Sequence, residues 1–210
     1  MKITIFGATG GTGTALTEQA LAGGHDVTAV VRDPARLHVG AHPRLTVVTA
    51  EVTDPASIVA AVAGADAVLT AAGPRGTGPT TVIRDSVRGI IAAMDKTGTR
   101  RLLMVSGSIV ADQGESVLLR LVKPLARRTF LRHVCADMRA GESEVEASGL
   151  DWTIVRPPRL TAQPAAGSYR TALDRSLPRG FTISRADLAA CMLALAADRR
   201  AVGHHIAVAR

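Results

Sequence analysis

Glycines recur every third residue in Gly7-Ala8-Thr9-Gly10-Gly11-Thr12-Gly13, directly behind the apolar run Ile3-Thr4-Ile5-Phe6. No other feature of the chain restricts its fold as tightly. A buried strand that turns through glycines into a helix exposes unpaired backbone N–H groups and the positive end of the helix dipole, a natural seat for a pyrophosphate. The spacing is G-x-x-G-x-x-G rather than the more familiar G-x-G-x-x-G. Gly7 permits the tight turn, Gly10 lets phosphates approach closely, and Gly13 lets helix and strand pack together.

The rest of the chain repeats this strand-to-helix alternation. Strands are expected at Ile3–Phe6, Asp26–Val31, Leu45–Val48, Ala67–Ala71, Arg101–Val105, Asp151–Val155 and His205–Val208. Helices are expected at Thr12–Ala22, ending at Gly23-Gly24, at Pro79–Thr97, closed by Gly98, and at about Arg185–Ala197. Short buried strands separated by helices imply an α/β fold, a Rossmann-type doubly wound parallel sheet. A mainly helical excursion, Ser108 to Arg139, interrupted at Pro124, is expected over the carboxyl ends of the strands as a small substrate lobe, where such sheets bind ligands. The 210 residues read as one domain, 1–210, with 108–139 as the substrate-side excursion.

Composition narrows the partners. The chain is 47% hydrophobic but only 2% aromatic, so Ala, Val, Leu and Ile must fill the core. Cys135 and Cys191 are far apart and form no metal-ligand spacing, which fits a reducing compartment, no metal site and no disulfide framework. Met1-Lys2 runs straight into a strand, leaving no room for a leader, and the longest apolar run, Ala189–Ala197, is about half of what a bilayer requires. A cytoplasmic protein, monomeric or homodimeric, is expected.

The net charge is +7, and Arg120, Lys123, Arg127, Arg128, Arg132 and Arg139 crowd one stretch. That stretch fits a solvated helix face or the attraction of an anionic cofactor or substrate. Nucleic acid is the least favoured partner, since aromatic residues for base stacking are nearly absent.

The end of the second strand bears on the cofactor. NAD-specific sites place an acidic side chain there for the ribose 2′-OH. Here Val31 is followed by Arg32-Asp33-Pro34-Ala35-Arg36. Arg32 and Arg36 can form a guanidinium pocket for a 2′-phosphate, which favours NADP(H). Asp33 can still point at a ribose, although Pro34 starts a turn there, and an Arg32–Asp33 surface ion pair is the plain alternative.

"KITIFGATGGTG", "VVRDPARL", "PTTVIRDSVRGIIAAM", "SGLDWTIVRPPRLT" and "GHHIAVA" together resemble the atypical short-chain dehydrogenase/reductases, nearest the biliverdin-IXβ reductase/flavin reductase type. NmrA-like redox-sensor proteins share the opening motif. The resemblance covers nearly the whole chain and is weakest over Arg120–Arg139. It implies cofactor contacts at Gly7, Thr9, Gly10, Gly11, Thr12, Gly13, Arg32 and Arg36, with Glu51 and Val52 beside the adenine. It also implies that Ala71, Ala72 and Gly73 line the cofactor, that Ser106 and Ser108 flank the nicotinamide as candidate catalytic hydroxyls, and that the backbone at Pro157 closes over it. Gly107 stands where that family carries a serine, and Arg159 where it carries a histidine.

The Tyr-x-x-x-Lys pair of common short-chain dehydrogenases is absent, because Tyr169 is followed four residues on by Leu173. An alcohol dehydrogenase or epimerase of that type would therefore lack its proton donor. A reductase that delivers hydride to a conjugated flavin, tetrapyrrole-like or quinone-like molecule needs position more than acid–base groups. The alternative is a non-enzymatic NmrA-like sensor that binds the dinucleotide. Strand alternation would let only one of Ser106 and Ser108 face the site. Arg159 can meet a substrate carboxylate or phosphate, and Tyr169 can pack or stack in the same lobe. Glu142 and Glu144 read as solvated, His133 as an exposed helix residue or a substrate contact, and His204 and His205 as structural.

Overall fold

Ile3, Ile5 and Phe6 are fully buried in β1 (Lys2–Phe6), whose two faces both pack into core, as a central parallel strand requires. The computed structural model describes residues 1–74, 76, 78–110 and 132–210. Further strands are β2 (Asp26–Val31), β3 (Leu45–Thr49), β4 (Ala67–Thr70), β5 (Arg101–Val105), β6 (Asp151–Arg156), β7 (Arg159–Thr161), β8 (Arg170–Leu173), β9 (Thr182–Ser184) and β10 (His204–Ala209). The helices are α1 (Gly11–Ala22), α2 (Pro55–Val62), α3 (Val82–Thr97), α4 (Arg132–Ala147) and α5 (Arg185–Ala197).

Eight strands form one sheet in the order β3-β2-β1-β4-β5-β6-β10-β8, parallel except for the β10–β8 pair at the edge. The chain reverses order between β1 and β4, so the connections leaving their carboxyl ends run to helices on opposite faces, a switch point where a ligand can enter. β7 and β9 form a separate two-stranded parallel sheet. The expected doubly wound α/β sheet is therefore present, with an antiparallel edge added. The expected excursion, including Pro124, Arg120, Lys123, Arg127 and Arg128, falls largely outside the described residues.

Each face of the sheet carries its own core. On one, Ile3 and Ile5 meet Leu16 and Ala20 of α1 and Leu188 and Met192 of α5. On the other, Phe6 and Val68 meet Ile58, Ile90, Met94 and Val145 of α2, α3 and α4. Burying side chains of this size is worth about 1.5–3 kcal/mol each, so aliphatic residues suffice without aromatics.

Helix ends explain several boundaries. Asp54 accepts from Ala56 N at 3.1 Å and Pro55 follows at the first helical position, which starts α2. Gly98, at φ +71°, closes α3 in the left-handed region, as expected. Its start differs from the expected Pro79. Thr80 Oγ1 accepts from Val82 N, and the buried Asp137 of α4 accepts from Ile83 N and Arg84 N, both at 3.0 Å. A carboxylate from the next helix thus caps α3 at Val82. Arg101, buried within β5, donates to the carbonyls of Leu195 and Ala196 at the carboxyl end of α5, and to Asp151 O and Thr153 Oγ1.

Candidate functional site

Gly7 leaves β1 at φ +76°, and a Cβ there would sit 2.7 Å from the Ala71 carbonyl carbon and 2.8 Å from Ala72 N. The ends of β1 and β4 therefore touch backbone to backbone. A Cβ on Gly13 would lie 2.1 Å from Gly7 O, so α1 packs onto the turn as only glycine allows. Gly10 N donates to Gly7 O at 3.0 Å and tightens the loop.

The start of α1 is left open. Its first intrahelical bond runs from Thr14 N to Gly10 O, so the N–H groups of Gly11, Thr12 and Gly13 have no helical acceptor. Gly10 brings no capping side chain, and no acidic residue lies in the first turn. By contrast Asp54, Asp137 and Ser184 serve the starts of α2, α3 and α5. Converging N–H donors beside an exposed Gly10–Gly11 surface fit a pyrophosphate. Thr9 is half-buried at the rim and Thr12 is buried beneath it.

At the end of β2 the Asp33 carboxylate accepts from Ala35 N at 3.0 Å and starts the 3-10 turn Pro34–Arg36. It is spent on its own backbone, not on Arg32. The exposed guanidiniums of Arg32 and Arg36 have no hydrogen-bond or ion-pair partner among the described residues. The alternative of an Arg32–Asp33 ion pair is thus not formed: Asp33 is a cap beside two unengaged cations.

Of the residues expected beside the adenine, Glu51 is exposed and Val52 half-buried. A Cβ on Gly89 of α3 would lie 2.0 Å from Val52 O, which fixes this loop against α3. Beyond β4, Ala71 and Ala72 are half-buried, and Gly73 is exposed with open space around it.

Past their last strand residues β5 and β6 stay laced, Ser106 N to Val155 O and Ser108 N to Pro157 O, each at 2.8 Å. This brings Ser106, Ser108 and Pro157 together at one corner. Strand alternation does not choose between the serines, because β5 ends at Val105 and Ser108 opens a 3-10 turn. Ser106 is 4% exposed, and its Oγ is buried with no partner among the described residues. Such a hydroxyl costs about 1–3 kcal/mol until something accepts from it or donates to it. A Cβ on Gly107 would be 3.5 Å from Met138 Sδ, an ordinary contact.

Arg159 is exposed on β7, opposite Thr182 of β9. Tyr169 is a half-buried ring packed on the α1–α5 core, with its phenol pKa raised by burial and by nearby Cys191 and Asp187. Cys191 is itself inert, its thiol pushed up to about 12 by burial. His133 Nε2 accepts a hydrogen bond from Arg132 Nε at 2.9 Å.

The reading of Glu142 needs correction. It is 5% exposed and forms a two-point ion pair with Arg156, which directly precedes Pro157. Glu144 is half-buried and pairs with Arg88. His204 Nδ1 lies 2.6 Å from Asp174, and His205 stacks edge-on against Trp152 with its Nε2 2.9 Å from Glu146, outside hydrogen-bond alignment. Sequence reasoning also missed Arg185, which opens α5 and lies over Gly11. No local pattern announces a contact between the two ends of the chain.

A family model described as NAD(P)H-binding matches residues 7–199. An uncharacterised chloroplastic protein of Arabidopsis thaliana is 32% identical over 88% of this chain and 68% of its own length. A Bacillus subtilis protein named as an uncharacterised sugar epimerase is 30% identical over 92% of this chain and 87% of its own. A short-chain dehydrogenase/reductase of Veillonella parvula, solved in complex with NADP, superposes with a TM-score of 0.80 at 20% identity, covering all of this chain and 94% of that one. Among the described residues no helix is long and apolar enough to cross a membrane, and no cluster of His, Cys, Asp or Glu could hold a metal ion.

Proposed function

The chain belongs to the NAD(P)H-binding family, and from that premise we propose that it is an NADPH-dependent oxidoreductase acting on a conjugated small molecule of the flavin, tetrapyrrole or quinone kind. The observation that carries the cofactor choice is the self-capped Asp33 beside unengaged Arg32 and Arg36. A carboxylate committed to Ala35 N is a poor ribose ligand, whereas two open guanidiniums suit a 2′-phosphate.

The glycine turn and the open start of α1 receive the pyrophosphate, and Ala71–Gly73 and Pro157 line the path toward Ser106. The cofactor, when bound, supplies a hydride from its nicotinamide. The buried Ser106 hydroxyl serves as donor to the carboxamide or to a substrate carbonyl, with Ser108 beside it. Arg159 attracts an anionic substrate group, and Tyr169 offers a ring face. An epimerase reading, suggested by the name of the Bacillus subtilis relative, lacks its proton donor here, since Tyr169 is followed by Leu173 where the dyad needs lysine. One domain over residues 1–210, with 108–139 on the substrate side, completes the proposal. A cytoplasmic setting agrees with two cysteines that form no disulfide.

The test is NADPH consumption by purified protein with flavins and quinones as acceptors. Turnover that falls when Ser106 becomes alanine supports the reductase. NADPH binding without turnover on any acceptor leaves the NmrA-like sensor as the better reading. No binding of either dinucleotide rejects both.

A further inference from the structure

Gly11, the first residue of α1, is overhung by a side chain from far along the sequence. A Cβ at Gly11 would lie 2.8 Å from Arg185 Cδ and 3.0 Å from its Nε. Arg185 has no hydrogen-bond or ion-pair partner among the described residues. Asp187, two residues further along α5, is occupied. Its Oδ2 accepts from Ala166 N at 3.0 Å and Ser184 Oγ at 2.7 Å, and its Oδ1 accepts from Gly167 N at 3.1 Å.

α5 packs on α1 and touches β5, whereas Arg32 and Arg36 follow β2, on the other side of β1. An unengaged cation therefore stands beside the uncapped N–H groups of α1, on the flank away from the 2′-phosphate pocket. Resting on the NADPH reading, we infer that Arg185 is a cofactor-binding residue that clamps the pyrophosphate against the start of α1. Its planar fork of N–H donors matches two phosphate oxygens at once. Gly11 leaves the space for the arginine to cross.

Calorimetric titration of the full chain with three probes separates the parts. ADP carries the pyrophosphate without a 2′-phosphate, adenosine 2′-monophosphate carries the reverse, and NADPH carries both. Arg185→Met, which keeps the apolar stem over Gly11, weakens ADP and NADPH about tenfold and leaves adenosine 2′-monophosphate unchanged. Arg32→Ala does the opposite with the two fragments. Unchanged ADP affinity in Arg185→Met, with the parent binding NADPH normally, overturns the clamp and spares the cofactor reading. A parent chain that binds none of the probes overturns both. Arg185→Lys retains charge without the fork and should fall between; it carries the comparison if the methionine variant folds poorly.

Discussion

Arg156 and Glu142 meet through Nε–Oε1 at 2.9 Å and Nη2–Oε2 at 2.8 Å, joining the carboxyl end of β6 to the middle of α4. The carboxylate side is nearly sealed from water, so removal of either partner strands a charge. Glu142→Ala should cost about 3 kcal/mol in a urea melt. The double change Glu142→Leu with Arg156→Leu should recover most of it, because no charge then remains buried. A double variant no more stable than the single would show that packing, not the pair, matters there.

Two glycines should respond in opposite ways. Gly13→Ala drives a methyl into Gly7 O and should abolish NADPH binding in a fluorescence titration, with a lower melting temperature. Gly107→Ser places its Cβ at ordinary contact distance from Met138 and should lower the melting temperature far less than Gly13→Ala, with NADPH binding retained.

Arg32→Ala should weaken NADPH about tenfold while leaving NADH nearly unchanged, since only NADPH carries the phosphate that the guanidinium would hold. Equal losses for both dinucleotides would return Arg32 to a general role and reopen Asp33 as a ribose ligand.

Stability should fall on mild acidification. Burial, and then the Arg156 charge, hold the His205 pKa below its usual 6.5, against the opposing pull of Glu142 and Glu146. The unfolded chain then takes up the proton first, so this contribution is complete above 6.5 and is lost as pH drops through the folded value. Denaturation midpoints between about pH 7 and 5 should slope downward in the parent and less so in His205→Gln. A flat parent profile would mean that the folded histidine takes up its proton as readily as the unfolded one, and a rising one that the folded histidine is already charged. Asp187 acts lower on the scale. Burial alone would raise its pKa, but donors from Ala166, Ser184 and Gly167 more than offset this, so its contribution is lost only below 3.8.

What could be read in advance was whatever depends on local chemistry. Asp26–Val31, Arg101–Val105 and Arg185–Ala197 follow from apolar runs with clear ends, and the structure has them at those bounds. α2 was not expected: Asp54 and Pro55 mark its start, but its eight residues are too short to show a strong period. β7, β8 and β9 are three or four residues each, mostly exposed or half-buried, and their partners are set by tertiary contacts. Glu142 looked solvated because glutamate usually is. Its partner lies fourteen residues away, across a strand boundary, and nothing local signals the match.

Arg101 grips the last carbonyls of α5 while Arg185 leads from its first turn, so the thirteen-residue helix is a strut of about 20 Å fixed at its far end. Its length is then a calibrated dimension. Deleting one residue between Leu188 and Leu195 would turn Arg185 by about 100° around the helix axis and swing it off Gly11, although no residue at the glycine turn had changed.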